Sequence, residues 1–215
     1  TRSGAWILTW KDAIQTLRTL TISRLWPWLA IALLGIAGAL VKDRAALVGV
    51  GVCWTILVSQ RTTARLKDDL GNWWLLSSLP LSAGRLIGHE LARPTIAVVA
   101  VTWLGMCLAY VAGSTFPQAA VLAVPVVVAG IAFSSAFDIL RGTDASMLLV
   151  GRQPDTGMLG LATGVLCLGL PASIAFFAAD HALSPCLALM AVGLTGIMLA
   201  AGFFRLSERH FRRVA

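Results

Sequence analysis

Carboxylate, histidine and cysteine side chains are the groups of this chain that could transfer protons, bind metals or act as nucleophiles. His89 and Glu90 stand next to each other and are the tempting acid–base pair. Adjacent residues of a helix point in different directions, however, so we expect a solvated helix face there rather than a shared site. His181 and His210 stand alone in a loop and in the tail. The histidines therefore predict no catalytic site.

The cysteines lie singly in four separate apolar stretches, at positions Cys53, Cys107, Cys167 and Cys186. None belongs to a CxxC pair or has a histidine nearby, so neither a metal site nor a disulfide framework is predicted. We expect the four side chains to be small apolar packing groups.

Motifs typical of membrane enzymes are absent from the chain, which has no HExxH, no GxSxG and no paired carboxylates on one helix face. The GxxxxGK[ST] loop that binds nucleotide phosphates is also missing. We therefore expect no enzyme activity and no cofactor in this chain. If ATP and Mg supply energy, they must bind to a partner.

The elements that position these residues are strongly apolar. Hydrophobic residues make up 58% of the chain and charged residues 13%, which excludes a soluble domain and indicates an all-α integral membrane protein. Residues 1–215 are expected to form a single transmembrane domain. Six spans are predicted: Trp26–Val41, Ala45–Gln60, Pro94–Ala112, Gln118–Ile139, Gly157–Ala178 and Leu183–Phe204.

The first two predicted spans are the shortest, and they are joined by Lys42, Asp43 and Arg44 alone. A tight helical hairpin in an up-down bundle explains this spacing. A single re-entrant element is the alternative, because backbone polar groups must be satisfied inside lipid.

The basic residues predict the orientation of the chain, because Lys and Arg collect on the cytoplasmic side of a membrane. With six spans, every Lys and Arg except Lys42 and Arg44 falls on one side, which also holds both termini. We therefore expect both termini in the cytoplasm of a cell (plasma) membrane. The net charge of +7 is explained by this topology and by anionic lipid headgroups, so no nucleic-acid partner is expected.

The N-terminal segment is expected to form an amphipathic helix at the membrane interface. Trp6, Trp10, Ala13, Leu17 and Leu20 recur at helical spacing, and tryptophan favours the headgroup level. A helix packed on a neighbouring soluble domain is the alternative. Because the chain starts with Thr and with no signal-peptide pattern, we expect an excerpt or a processed form.

The predicted spans have no charged residue at their centres, which argues against an ion-coupled carrier. Asp138 and Asp180 fall at span ends, where we expect solvated or headgroup-level carboxylates. Gly160 and Gly164 form a small-xxx-small pair that allows close helix approach. Pro125 should kink the fourth span, either as a gating hinge or as a static kink that neighbours accommodate.

The loop Arg61–Pro94 is too long and too patterned to be a simple connector. Its first part is predicted to be a surface-lying helix, with Leu66, Leu70, Trp73 and Trp74 on the apolar face. Pro80 ends this helix, and Ser82 is a plausible cap for a second helix that leads to the third span. We expect Arg85, His89 and Glu90 to lie at the surface of that second helix.

In this loop the chain resembles the permease subunits of the type-2 ABC exporter superfamily. Their segment between the second and third spans has an acidic stretch, an apolar run, then Leu-Pro, a small residue and a basic residue. The resemblance implies that the segment docks on an ATPase subunit. The ATPase-coupling surface implied here comprises Asp68, Asp69, Trp73, Trp74, Leu79, Pro80 and Arg85. The tryptophan pair departs from the simple aliphatic residues that are more usual.

The resemblance further implies a six-span permease that exports a substrate by alternating access. Its partners would be an ABC ATPase subunit, a second permease unit (a homodimer or a second half) and membrane lipid. The uncharged interior is compatible with a lipid, a hydrophobic peptide or an antibiotic as the substrate. A secondary carrier or channel, and a non-transporting membrane scaffold, are the alternatives.

Overall fold

The computed structural model describes residues 22–41, 43–70, 83–113, 118–141, 158–180 and 184–214. Within these ranges the chain is helical and contains no β-strand, as the composition predicts. The predicted interfacial helix falls almost entirely on residues 1–21, outside the described residues. The six helices are α1 (Ile22–Leu40), α2 (Arg44–Leu70), α3 (Ala83–Val111), α4 (Gln118–Arg141), α5 (Met158–Asp180) and α6 (Pro185–Val214).

Four of these helices are long and apolar enough to cross a membrane. Their apolar segments are Ala45–Asp68, Ile87–Val111, Ala123–Arg141 and Cys186–His210. Shorter apolar stretches lie in α1 and α5. Such helices satisfy their own backbone polar groups, which is why they suit the interior of a membrane.

Successive helices run in alternating directions. Trp28, near the start of α1, lies 6.0 Å from the guanidinium of Arg61, which is late in α2. Near the end of α4, Phe137 packs edge-on against the ring of His210, late in α6. The starts of α1, α3 and α5 therefore lie beside the ends of α2, α4 and α6.

We call this side of the bundle the charged end, because most charged residues of the described helices lie there. At the opposite side, Asp43 accepts a hydrogen bond from the Ala46 amide (2.9 Å) and caps the start of α2. The charged residues of the charged end are Arg61, Arg65, Lys67, Asp68, Glu90, Arg93, Asp138, Arg141, Arg205, Glu208 and Arg209.

Helix α4 is the centre of the bundle and packs against α2, α3, α5 and α6. Its Val128 and Ile131 are fully buried in the main apolar core, together with Ile31 of α1 and Val58 of α2. Small residues allow the closest approach of α1 and α3, because Gly105 lies directly against the Ala32 carbonyl.

A second apolar core joins α2, α3 and α4 at the charged end. It contains Leu66 and Leu70 of α2, which are 1% and 2% exposed, packed with Ile87 and Leu91 of α3. The prediction of a separate surface-lying helix after Gln60 was wrong for residues 61–70. Helix α2 continues to Leu70, and its apolar face is covered by protein because α3 and α4 present matching apolar side chains.

Pro125 lies inside α4, and a side chain of the neighbouring helix replaces the hydrogen bond that the proline cannot donate. A proline has no N–H, so the carbonyl one turn earlier, at Val121, loses its partner within the helix. The indole Nε1 of Trp103 in α3 donates a hydrogen bond to that carbonyl at 2.9 Å. The hydrogen bond from α3 therefore satisfies the carbonyl that Pro125 leaves without a donor in α4.

Candidate functional site

The residues of the predicted coupling surface lie at the end of α2, at the start of α3 and in the segment that connects these helices. Asp68 lies exposed in the last turn of α2. The backbones of Asp69 and Arg85 belong to α2 and α3, while their side chains lie outside the described part of the structure. Trp73, Trp74, Leu79 and Pro80 also fall outside the described residues. The second apolar core therefore anchors both ends of this segment, at Leu70 and Ile87.

Polar side chains are buried in the charged half of the bundle, and most of them are serines and threonines that the sequence does not single out. On α2 they recur along one face, and on α4 they follow the spacing SSxxD. Because serine and threonine are common in apolar helices, this spacing is a weak signal without the fold. The buried groups are Thr55, Ser59, Thr62, Thr63, Glu90, Ser134, Ser135, Asp138 and Ser207, each at most 8% exposed.

A hydrogen bond between side chains joins α2 and α4 in this layer. The hydroxyls of Ser59 in α2 and Ser135 in α4 lie 2.8 Å apart. The threonines instead donate to carbonyls of the preceding turn of their own helix, for example Thr63 to Ser59 at 2.7 Å. The serine pair is therefore a specific polar contact between α2 and α4 inside an apolar bundle.

Asp138 is buried, which corrects the expectation of a solvated carboxylate. It is 8% exposed, and its Oδ2 atom has no hydrogen-bond partner. The carboxylate lies against Gly160, where an added Cβ would come 2.7 Å from Oδ2. Gly160 is in the first turn of α5, whose N–H groups have no partner within the helix and which contains no acidic residue of its own. A negative charge is favoured at that position by the helix dipole.

A second carboxylate is placed in the same way at the start of α3. Glu208 of α6 lies over Gly84, where an added Cβ would come 3.1 Å from the carboxyl carbon. The first turn of α3 also contains no acidic residue. We call the pairs Asp138–Gly160 and Glu208–Gly84 the carboxylate–glycine contacts. Each ties the first turn of one helix to the late part of another at the charged end.

The side chains of His89 and Glu90 approach each other although consecutive residues of a helix point in different directions. His89 Nδ1 lies 3.8 Å from Glu90 Oε1, and this buried nitrogen has no hydrogen-bond partner. Glu90 is 7% exposed, so its predicted surface position was wrong. The reason is that α4 and the end of α2 pack on this side of the bundle and cover the start of α3.

No family model matches the chain, and no curated protein or solved structure matches it either.

The polar groups of the charged end make contacts between helices. Among the described residues, no group of three His, Cys, Asp or Glu side chains is placed to hold a metal ion. All four cysteines belong to described helices and are free thiols. The carboxylates of Asp138 and Glu208 instead contact helix starts. Polar contacts therefore connect the helices at the charged end.

Proposed function

We propose that this chain is the transmembrane permease subunit of an ATP-driven ABC-type exporter. It crosses the plasma membrane with six spans and keeps both termini in the cytoplasm. A separate ATPase subunit binds ATP and Mg, and a second permease unit completes the path for an unidentified substrate. Transport follows from alternating access, with the Asp68–Arg85 stretch as the contact to the ATPase.

The observation that carries this proposal is the second apolar core. Helix α2 has 27 residues, and at 1.5 Å per residue it extends about 40 Å. The hydrocarbon layer of a membrane is about 30 Å thick. We place the excess at the charged end, where Leu66, Leu70, Ile87 and Leu91 hold α2 and α3 together. A rigid pair of helices that projects from the membrane can transmit a force applied to the segment at its tip.

The distribution of charge supports the orientation. The charged end holds arginines on α2, α3, α4 and α6, whereas the opposite end has Arg44 as its one basic residue in the described helices, beside Asp43 and Asp180. Because basic residues remain on the cytoplasmic side, the charged end is assigned to the cytoplasm. A cytosolic ATPase would then meet the tip of the α2–α3 pair.

The test is co-expression with the nucleotide-binding subunit encoded by a neighbouring gene. The variant Asp68→Lys/Asp69→Lys should reduce ATPase co-purification and ATP-driven flux, because reversed charge disturbs a complementary interface. Asp43→Asn is the matched control: it removes one charge at the opposite end and keeps a residue that caps α2. If the reversal leaves both co-purification and flux at the level of this control, the docking assignment is wrong. Membrane insertion and thermal unfolding verify that each variant folds.

A secondary carrier is the second candidate, and the buried Asp138 favours it. A buried carboxylate with an unpartnered oxygen is typical of proton or cation pathways in membrane transporters. A carrier requires an ion gradient and no ATPase. Flux in vesicles that lack nucleotide, driven by a gradient and abolished in Asp138→Asn, would support the carrier and contradict the exporter. Flux that needs ATP and persists in Asp138→Asn would support the exporter.

A further inference from the structure

An apolar groove of about 450 Å³ lies between α4 and α6. Its lining includes Ala129, Ala200 and Ala201, together with Pro125. Phe133 and Phe204 close it toward the charged end, with their rings packed edge-on at 5.3 Å between centroids. The groove exists because three alanines leave space where larger side chains would fill the gap between the helices.

The position of the groove determines what can fill it. Its residues fall within the apolar segments Ala123–Arg141 and Cys186–His210, which are the parts of α4 and α6 suited to the membrane. Any occupant therefore comes from the hydrocarbon layer or from another membrane-embedded helix. A water-soluble partner cannot reach it.

The charge beside the groove favours a lipid over a second copy of the chain. Helix α6 continues past Phe204 with Arg205 and Arg209, both exposed. These side chains can reach the headgroup level and attract a negative headgroup. A symmetric pair of chains would instead place the same ends together and oppose arginine to arginine.

We infer that the groove between α4 and α6 binds an acyl chain of an anionic phospholipid, whose headgroup contacts Arg205 and Arg209. This site is independent of the exporter function, because it uses neither the coupling segment nor the carboxylate–glycine contacts. The lipid stabilises the pairing of α4 and α6 by filling the space that the alanines leave.

Native mass spectrometry of the delipidated protein tests this inference, with phosphatidylglycerol and phosphatidylcholine as the added lipids. We expect the intact protein to retain phosphatidylglycerol preferentially. Ala201→Leu fills the groove and should lose the retained lipid, whereas Ala162→Leu, at an exposed alanine of α5, should keep it. Arg205→Gln/Arg209→Gln should lose the preference for phosphatidylglycerol. Arg141→Gln is the control, because Arg141 projects from a different face of α4 than Ala129.

Two results would overturn the inference. The first is equal retention of both lipids by the intact protein, or equal retention of phosphatidylglycerol by Ala201→Leu and Ala162→Leu. The second is a change of oligomeric state in Ala201→Leu with unchanged lipid retention, which would identify a second copy as the occupant. Size-exclusion chromatography and thermal unfolding verify folding, and Ala200→Leu fills the same groove if Ala201→Leu does not fold.

Discussion

The carboxylate of Asp138 lies so close to the backbone of Gly160 that a methyl group at position 160 would come within 2.7 Å of Oδ2 and 3.0 Å of the Asp138 Cβ. A short side chain that also meets the methyl group at its Cβ cannot simply swing away. The absence of a side chain at Gly160 is therefore what allows α4 to place a carboxylate on the first turn of α5. This contact is one of the polar connections that join the helices at the charged end.

Gly160→Ala should destabilise the protein because of this contact. Overpacking a well-fitted site typically costs about 1–3 kcal/mol, and the higher helix propensity of alanine offsets up to about 1 kcal/mol of it. The midpoint of thermal unfolding of the purified protein should fall. Gly169→Ala in the same helix is the control, because no atom lies within 4 Å of a Cβ at that position. Equal midpoints for the two variants would contradict the observed packing.

Gly84→Ala should have a smaller effect on unfolding than Gly160→Ala. The added Cβ meets the far end of the longer Glu208 side chain at 3.1 Å, and that end can rotate away. Gly88→Ala is the control in the same helix, with nothing within 4 Å. In the background Glu208→Ala, the substitution at position 84 should become neutral. A destabilisation that persists in this double variant would show that Glu208 is not what limits the site.

The effects of Ser59→Ala and Ser135→Ala on the free energy of unfolding should not be additive, since each substitution removes one partner of the same hydrogen bond. Hydrogen bonds between helices in membranes couple by about 0.6 kcal/mol on average and about 1.7 kcal/mol at most. A double-mutant cycle measured by reversible unfolding should give a coupling in this range. Ser173→Ala is the control, because its exposed hydroxyl donates only to Leu170 of its own helix. A coupling of zero would contradict the Ser59–Ser135 contact.

Trp103→Phe should destabilise the protein by leaving the Val121 carbonyl without its donor. The cost of an unsatisfied carbonyl is about 1–3 kcal/mol. Pro125→Ala restores an N–H one turn after Val121, so Trp103→Phe should cost less in that background. The free energies of unfolding of the unsubstituted protein, the two single variants and the double variant give the cost of Trp103→Phe in each background. If Trp103→Phe costs the same with and without Pro125, the indole does not compensate for the proline.

Cysteine labelling tests the orientation of the bundle. In a background without the native cysteines and in sealed right-side-out vesicles, an impermeant maleimide should label Ser184→Cys and not Asp68→Cys. The reason is that basic ends of spans remain in the cytoplasm. Opening the vesicles should make position 68 reactive. Labelling of Asp68→Cys from outside would reverse the topology and remove the basis for ATPase docking.

The positions of the helices were largely predictable, because hydrophobic runs of sufficient length have one stable form in lipid. The predicted fourth and fifth spans begin within one residue of the starts of α4 and α5, at Gln118 and Met158. The ends of α2 and α6 were not predictable in the same way. Where a helix leaves the membrane its sequence becomes mixed, and only packing against α3 and α4 explains why α2 remains helical to Leu70.

By itself, the sequence determined that the chain is helical, that it contains apolar helices able to cross a membrane, and that its basic residues are unevenly distributed. These properties depend on composition and on local periodicity, which a single segment expresses without its neighbours. The tertiary structure decided that Asp138 and Glu90 are buried, that Gly160 and Gly84 contact carboxylates, and that Trp103 compensates for Pro125. Such contacts join residues distant in the sequence, and they exist only once the packing of the helices has fixed which side chains face one another.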